Sequence, residues 1–362
     1  MRSPGFAVRG TAASVRCPRS ARYDVITVAE YMVECLLHPA HGYYSTRDPF
    51  GVQGDFTTAP EISQMFGELA GLCLAGAWLD QGRPDGITLA EIGPGRGTLM
   101  ADILRATRGV PGFHAALSVH LIEASPLLRA RQQETLARFD VHWAESVTAL
   151  PEAPLYLIAN EFFDALPIRQ FLRDANGWRE RVVGLDGAAL ALGLSAPAPL
   201  AALAHRLADT KPGDLVETCT AAQPIMAEIA GRIARHGGAA LVIDYGDWHS
   251  LGDTLQALSQ HGHIAPLARP GESDLTAHVD FESLALAAPE VAHSRLTPQG
   301  IWLERLGIAA RAETLAQNLT GAALTSHLAA HRRLTHPSEM GSVFKAMAFH
   351  PKGTLPPPGF AA

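Results

Sequence analysis

Glu91, Gly93, Gly95 and Gly97 fall within one short stretch, AEIGPGRGTLMADILR at residues 90–105, in which an acid precedes three glycines at alternate positions. Backbone without Cβ atoms lets the polar groups of a ligand come close and reach the N–H groups left open where a helix starts. The spacing is not that of a phosphate grip. A dinucleotide fingerprint would put its third glycine where Thr98 stands, and a P-loop needs Lys followed by Ser or Thr, which this stretch lacks. Glu123 closes the next apolar run, where an acid is able to accept hydrogen bonds from both hydroxyls of a ribose. Open backbone flanked by acids suits a nucleoside that carries no phosphates. Tight packing of a strand on a helix is the competing explanation of the glycines alone.

These residues need a strand before the turn and a helix after it, and the surrounding pattern supplies both. Ile87 to Ile92 is a short apolar strand, and Leu99, Ile103 and Leu104 give the following helix a buried stripe. Ser118 to Ala124 is a second strand, and Ser125-Pro126 is an N-cap with an N1 proline for a helix to about Phe139. Leu155 to Ala159 and Ala239 to Tyr245 are further apolar runs, the latter preceded by a helix near Ile225 to Arg235 that Gly237 terminates. Strands alternating with helices predict a mostly parallel, doubly wound α/β sheet covered on both faces. Upstream, a helix is expected from Tyr23 to Leu37, and another runs from a Thr58/Glu61 capping box to Gln81-Gly82. A possible hairpin through Arg181 to Leu192 interrupts the rhythm, and residues 250–330 read as loops and helices, one of them starting at Thr297-Pro298. GSVFKAMAFH reads as a last strand. S-adenosylmethionine is a nucleoside of the required kind, with an amino acid group and a sulfonium cation in place of phosphates.

Five stretches in this order, GYYSTRDPFGVQGDFTTAPEISQMFGE, EIGPGRGTLMADILR, ANEFFDALPIRQF, ALVIDYG and MGSVFKAMA, resemble the MidA-like family of class I methyltransferases. The resemblance covers about Tyr23 to His350. It implies a Rossmann-like seven-stranded core with an N-terminal helical flap and a lid insertion, S-adenosylmethionine as methyl donor, and a protein arginine as acceptor in the branch that assists assembly of respiratory complex I. It places Gly93, Gly95 and Gly97 at the amino acid end of the donor, Glu123 at its ribose and Glu91 beneath. Gly54, Asp55, Phe56 and Thr57 would stand beside the donor in a flap. The implied organisation is an extension at 1–22, N-terminal helices and flap at 23–82, core at 83–178 and 237–350, insertion and return helix at 179–236, and a tail at 351–362.

With an arginine acceptor in view, the strand-end segment ANEFFDALP gains a role. A guanidinium keeps its proton at nearly any pH, so carboxylates must orient it and hold its charge. Glu161 and Asp164 form the expected fork, with Asn160 beside the reacting nitrogen. Phe162 and Phe163 are either walls of that site or core residues, and Asp164 has a helix N-cap as its alternative role. Tyr43 and Tyr44 are divided between flap and core. His38, His41, His261, His263 and His278 form no zinc signature, so no metal is expected.

Over 362 residues the net charge of −7 is mild, which speaks against nucleic acid as a partner and leaves a protein substrate, a complex I subunit by the resemblance. No apolar run reaches the roughly 20 residues of a membrane span. The 4 cysteines are too scattered for a zinc spacing or a disulfide framework. Residues 1–22 hold arginines without acids; a disordered extension is expected there, with a mitochondrial transit peptide as the alternative. The compartment is accordingly a bacterial cytoplasm or the mitochondrial matrix. Two other functions fit part of the pattern: a non-catalytic assembly factor that binds the donor, and a nicotinamide-dependent oxidoreductase.

Overall fold

The computed structural model describes residues 25–46, 58–259 and 262–361. Its centre is a sheet whose long strands are β1 (Ile87–Ile92), β2 (Leu117–Ile122), β3 (Val141–Ala144), β4 (Leu155–Asn160), β5 (Gly238–Asp247) and β6 (Phe344–His350). Their spatial order is β3-β2-β1-β4-β5-β6, and Ala292–His293 completes a seven-membered path beyond β6. All neighbours run parallel except β6, which is antiparallel to β5. Every residue of β1 and β4 is buried, as parallel strands covered on both faces must be. The chain builds outward from β1 to β3 and then returns to place β4 on the other side of β1. That reversal opens a crevice beyond the C-terminal ends of β1 and β4, the position where open α/β sheets bind ligands.

Helices pack on both faces. On one side lie Met65, Phe66, Leu74, Leu99 and Ile103, and on the other Met226, Ile229, Ile233, Phe281 and Leu284. Five of the helices bear on the site: α1 (Val28–Leu37), α2 (Gln64–Asp80), α3 (Thr98–Ala106), α4 (Pro126–Thr135) and α5 (Ala222–His236). α4 starts as expected, with Pro126 at N1 and Ser125 Oγ accepting from Leu128 N, though it ends at Thr135, short of Phe139. α5 stops at Gly237.

Two expected helices begin elsewhere. The β-branched run Val25–Thr27 is a strand, and Thr27 caps α1 through a reciprocal box with Glu30. The helix expected from Thr58 is broken at Ser63, which is extended (φ −161°, ψ 137°) and caps α2 by accepting from Met65 N. Thr58 makes no side-chain cap, and the Glu61 carboxylate, instead of completing a capping box, accepts a 2.6 Å hydrogen bond from the Thr98 hydroxyl.

A second, antiparallel sheet joins Val25–Thr27, Gly177–Asp186, Arg169–Asp174 and Leu215–Thr218, with Ala189–Leu194 forming a hairpin on Gly177–Asp186. The segment before α1 thus shares a sheet with chain more than a hundred residues away. Residues 250–330 hold more strand than expected: Gln256–Ser259 is flanked by Gly262–Ile264 and Asp274–Thr276. Among the described residues no helix is long and apolar enough to cross a membrane.

Candidate functional site

The turn after β1 has the shape its glycines imply. Gly93, Gly95 and Gly97 have φ of +66°, +51° and +80°, values that strain any residue with a Cβ. At Gly93 a Cβ would also stand 3.1 Å from the Phe162 ring, so the turn after β1 and the turn after β4 close on each other. Gly97 is the N-cap of α3 and leaves its first N–H groups facing the crevice.

Glu91 lies beneath this turn, 3% exposed, and its Oε2 has no hydrogen-bond partner. Burial pushes its carboxyl up to about 8, helped by nearby Glu123 and opposed by the Met100 N–H. Glu123 is better served: Oε1 accepts from Ser125 N at 2.8 Å and Oε2 from Gln132 Nε2 at 3.1 Å. Gln132 was not anticipated. Fully buried on α4, its amide also donates to Gly95 O at 2.8 Å and its Oε1 accepts from Trp143 Nε1 at 2.8 Å. One side chain therefore ties the glycine turn to Glu123. Nothing local marks it as more than a polar residue on a helix.

The second half of the site follows β4. Glu161 sits at φ +51°, one of only two non-glycine residues with positive φ among those described, a strain that such turns at ligand sites commonly store. Its Oε1 accepts from Ala59 N at 3.0 Å and from Asn160 Nδ2 at 3.1 Å. Burial lifts its carboxyl to about 8 against these two hydrogen bonds, and the neighbouring Asp164 adds to the rise. Asp164, 5% exposed, is likewise raised by burial, is hydrogen-bonded by the Tyr245 hydroxyl, and keeps Oδ1 unpartnered. Asn160 Oδ1 is unpartnered too. No helix follows Asp164, so the N-cap alternative falls.

Asp244, also unanticipated, underpins this turn. It is fully buried within β5; Oδ2 accepts from Phe163 N at 3.0 Å and Asp164 N at 3.3 Å, and Oδ1 from Tyr245 N at 3.1 Å. Burial and the charges of Asp164 and Glu161 hold its carboxyl well above the usual range. An acid closing the run ALVIDYG, one residue past the partner of Asn160 in the β4–β5 register, was the available signal.

Phe163 is a core residue, whereas Phe162 is half-buried against Gly93. Tyr43 is fully buried, and Tyr44 donates to Asp274 Oδ1 at 2.7 Å. Gly54, Asp55, Phe56, Thr57 and His261 lie outside the described residues. His38 and His41, expected to be ordinary loop histidines, are brought together with Glu34.

Glu91, Gly93, Gly95, Thr98, Asn160 and Glu161 line one cavity of about 40 Å³. The donor's chemistry fits these residues, a Cβ-free cradle with an orphaned acid oxygen beneath it, and Glu123, outside the cavity lining, is tied to the same turn through Gln132. The donor's size does not fit a gap far below the roughly 300 Å³ of ordinary ligand pockets, so admission requires the walls to part.

The model of a family described as S-adenosyl-L-methionine-dependent methyltransferase matches residues 69–300. The Homo sapiens protein arginine methyltransferase NDUFAF7, mitochondrial, is 36% identical over 361 residues, covering 91% of this chain and 81% of its own. The Xenopus tropicalis protein of that name is 35% identical over 92% of this chain and 85% of its own. Among solved structures, one from Burkholderia thailandensis, described as a methyl transferase and bound to S-adenosyl-homocysteine, superposes with a TM-score of 0.77 at 31% identity, covering 90% of this chain and 88% of that one.

Proposed function

Since this chain belongs to the family of S-adenosyl-L-methionine-dependent methyltransferases, we propose that its acceptor is the guanidinium of an arginine in a protein, and that the protein is a subunit of respiratory complex I. The nicotinamide alternative falls with the family assignment. The observation that carries the arginine reading is the set of acids in the turn after β4 and within β5: Glu161, Asp164 and Asp244 stand together, all raised by burial, with Asp164 Oδ1 unpartnered. Among the described residues no cation is ion-paired with these acids, Arg333 acting on Glu161 only from a distance, and a guanidinium offers a planar fork of N–H donors that matches two carboxylates.

Glycines 93, 95 and 97 would take the amino acid end of the donor, with Glu91 beneath the turn, and Glu123 would accept from the ribose. Bound there, S-adenosylmethionine supplies an electrophilic methyl group on a sulfonium. Glu161 Oε1 is occupied by Ala59 N and Asn160 Nδ2, which leaves Oε2 to face the guanidinium. Asp164 Oδ1 and Asn160 Oδ1 accept from its other N–H groups. The reacting nitrogen sheds one proton as it gains the methyl group, and Glu161, ionised once the guanidinium charge stands beside it, accepts that proton. Enclosure strengthens the grip: a charge pair at 4 Å is worth about 4 kcal/mol at an effective dielectric of 20, against about 1 kcal/mol in water. Asp244 touches no reactant; it holds the N–H groups of Phe163 and Asp164 so that the fork keeps its shape. The enzyme then works beside its client, in the mitochondrial matrix, the names of the relatives placing those proteins in mitochondria, or in a bacterial cytoplasm.

Glu161→Gln tests this. Calorimetry is expected to find donor affinity within about threefold of wild type, while mass spectrometry of complex I subunits shows arginine methylation reduced by at least about 100-fold. Undiminished methylation removes Glu161 from its role. A full set of arginine methyl marks on complex I in cells lacking the gene removes the proposed client.

A further inference from the structure

The end of α1 gathers three side chains that the methyl-transfer site does not use. Glu34 and His38 are four residues apart at the C-terminal end of the helix and so share a face. His41 is returned to that face by a tight turn: Gly42 N donates to His38 O at 2.7 Å, and a Cβ on Gly42 would lie 2.5 Å from His38 N. The turn is backed from across the fold, since the His41 carbonyl oxygen stands only 2.8 Å from where a Cβ of Gly271 would be.

Three consequences follow for the side chains. His41 Nε2 lies 3.0 Å from Glu34 Oε1, the His38 and His41 rings stack with centroids 3.7 Å apart, and one ligand atom from each of the three residues falls within 4.8 Å of the others. The Ala40 N–H donates to His38 Nδ1 at 3.1 Å, which orients the ring and marks Nδ1 as the nitrogen with the free lone pair, so an ion takes Nδ1 in place of that N–H. All three residues are half-buried, so an ion has both a wall and an entry path.

We propose that Glu34, His38 and His41 form a binding site for a divalent transition ion of the Zn²⁺ class. Two imidazoles and a carboxylate are a borderline nitrogen and oxygen donor set, which suits zinc in tetrahedral coordination with water in the fourth position. Zinc draws nitrogen and oxygen ligands to about 2.0–2.2 Å, so the group contracts and one ring turns out of the stack, because stacked rings aim their nitrogens in parallel. The ion replaces the His41–Glu34 hydrogen bond and ties the end of α1 to the turn that leads into buried Tyr43 and into Tyr44, whose hydroxyl is bound to Asp274. This site is independent of the methyl acceptor.

The test is calorimetric titration of the untagged, chelator-treated full chain with zinc chloride, alongside Co²⁺ absorption spectra. One equivalent of zinc and a tetrahedral Co²⁺ band are expected. Glu34→Gln, which retains a hydrogen bond to His41, and His41→Ala should each weaken zinc binding at least about tenfold. His327→Ala, on a different helix, should leave it unchanged. Absence of saturable binding to the wild-type chain overturns the proposal. So does binding that persists undiminished in both variants, because the ion then sits elsewhere among the 16 histidines.

Discussion

Glu91 shows how one buried acid couples binding to pH. Its carboxyl is raised from 4.5 to about 8 by burial, so the folded chain holds a proton there that the unfolded chain releases. The contribution is fully present below about pH 4.5 and is lost as pH rises through 8, since stability falls wherever the folded state binds more protons. Glu161 acts in the same direction over the same window. Glu91→Gln removes one such group. Thermal unfolding is expected to show the variant gaining on wild type between pH 5 and pH 9, while donor affinity measured by calorimetry falls about fivefold, one lost hydrogen bond being worth roughly 1 kcal/mol. A variant whose pH profile parallels that of wild type would show that Glu91 does not titrate there.

At the scale of elements, the site depends on three turns held in register by side chains from their neighbours. Gln132 of α4 connects the turn after β1 to the acid after β2, and Asp244 of β5 supports the turn after β4. Replacing Gln132 by leucine keeps its volume but leaves Gly95 O and Trp143 Nε1 without partners. Orphaning buried polar groups costs about 1–3 kcal/mol each. We expect Gln132→Leu to lower the urea-unfolding free energy by about 2 kcal/mol and to weaken donor binding at least about tenfold; an unchanged affinity would mean that Glu123 and the glycine turn hold their places without it. The small antiparallel sheet works differently, through backbone pairing of Val25–Thr27 with Gly177–Asp186, which brings α1 to the core.

Across the whole molecule, the proposed donor site would join parts that few covalent neighbours connect: the turns after β1 and β4, the acid after β2, and the Ala59 segment bonded to Glu161. A ligand that binds only the folded chain stabilises it by about 2.7 kcal/mol at 100 times its dissociation constant. Urea unfolding with S-adenosylmethionine at that concentration should show this gain, and NADH at the same concentration should show none. A cavity of about 40 Å³ adds that the donor enters an opened form, so association should be slower than diffusion-limited encounter.

The strands expected at 87–92, 155–159 and 239–245, which form at 87–92, 155–160 and 238–247, the glycine turn and the stop at Gly237 were legible in the chain. Each rests on interactions over a few residues: apolar periodicity, the freedom of glycine, an N-cap with its proline. Glu34, His38 and His41 were within reach of the same reasoning, their spacing being helical for the first pair and a Pro-containing turn for the second. What local patterns do not contain is which distant group satisfies a buried polar atom. Asp244 meets the amides of Phe163 and Asp164 from 80 residues away, Glu61 leaves its capping box for Thr98, and Val25–Thr27 finds its partner strand beyond residue 181. Such pairings form only when the sheet and its layers are stacked, because burial, which makes an unpaired polar group costly, exists only in the assembled fold.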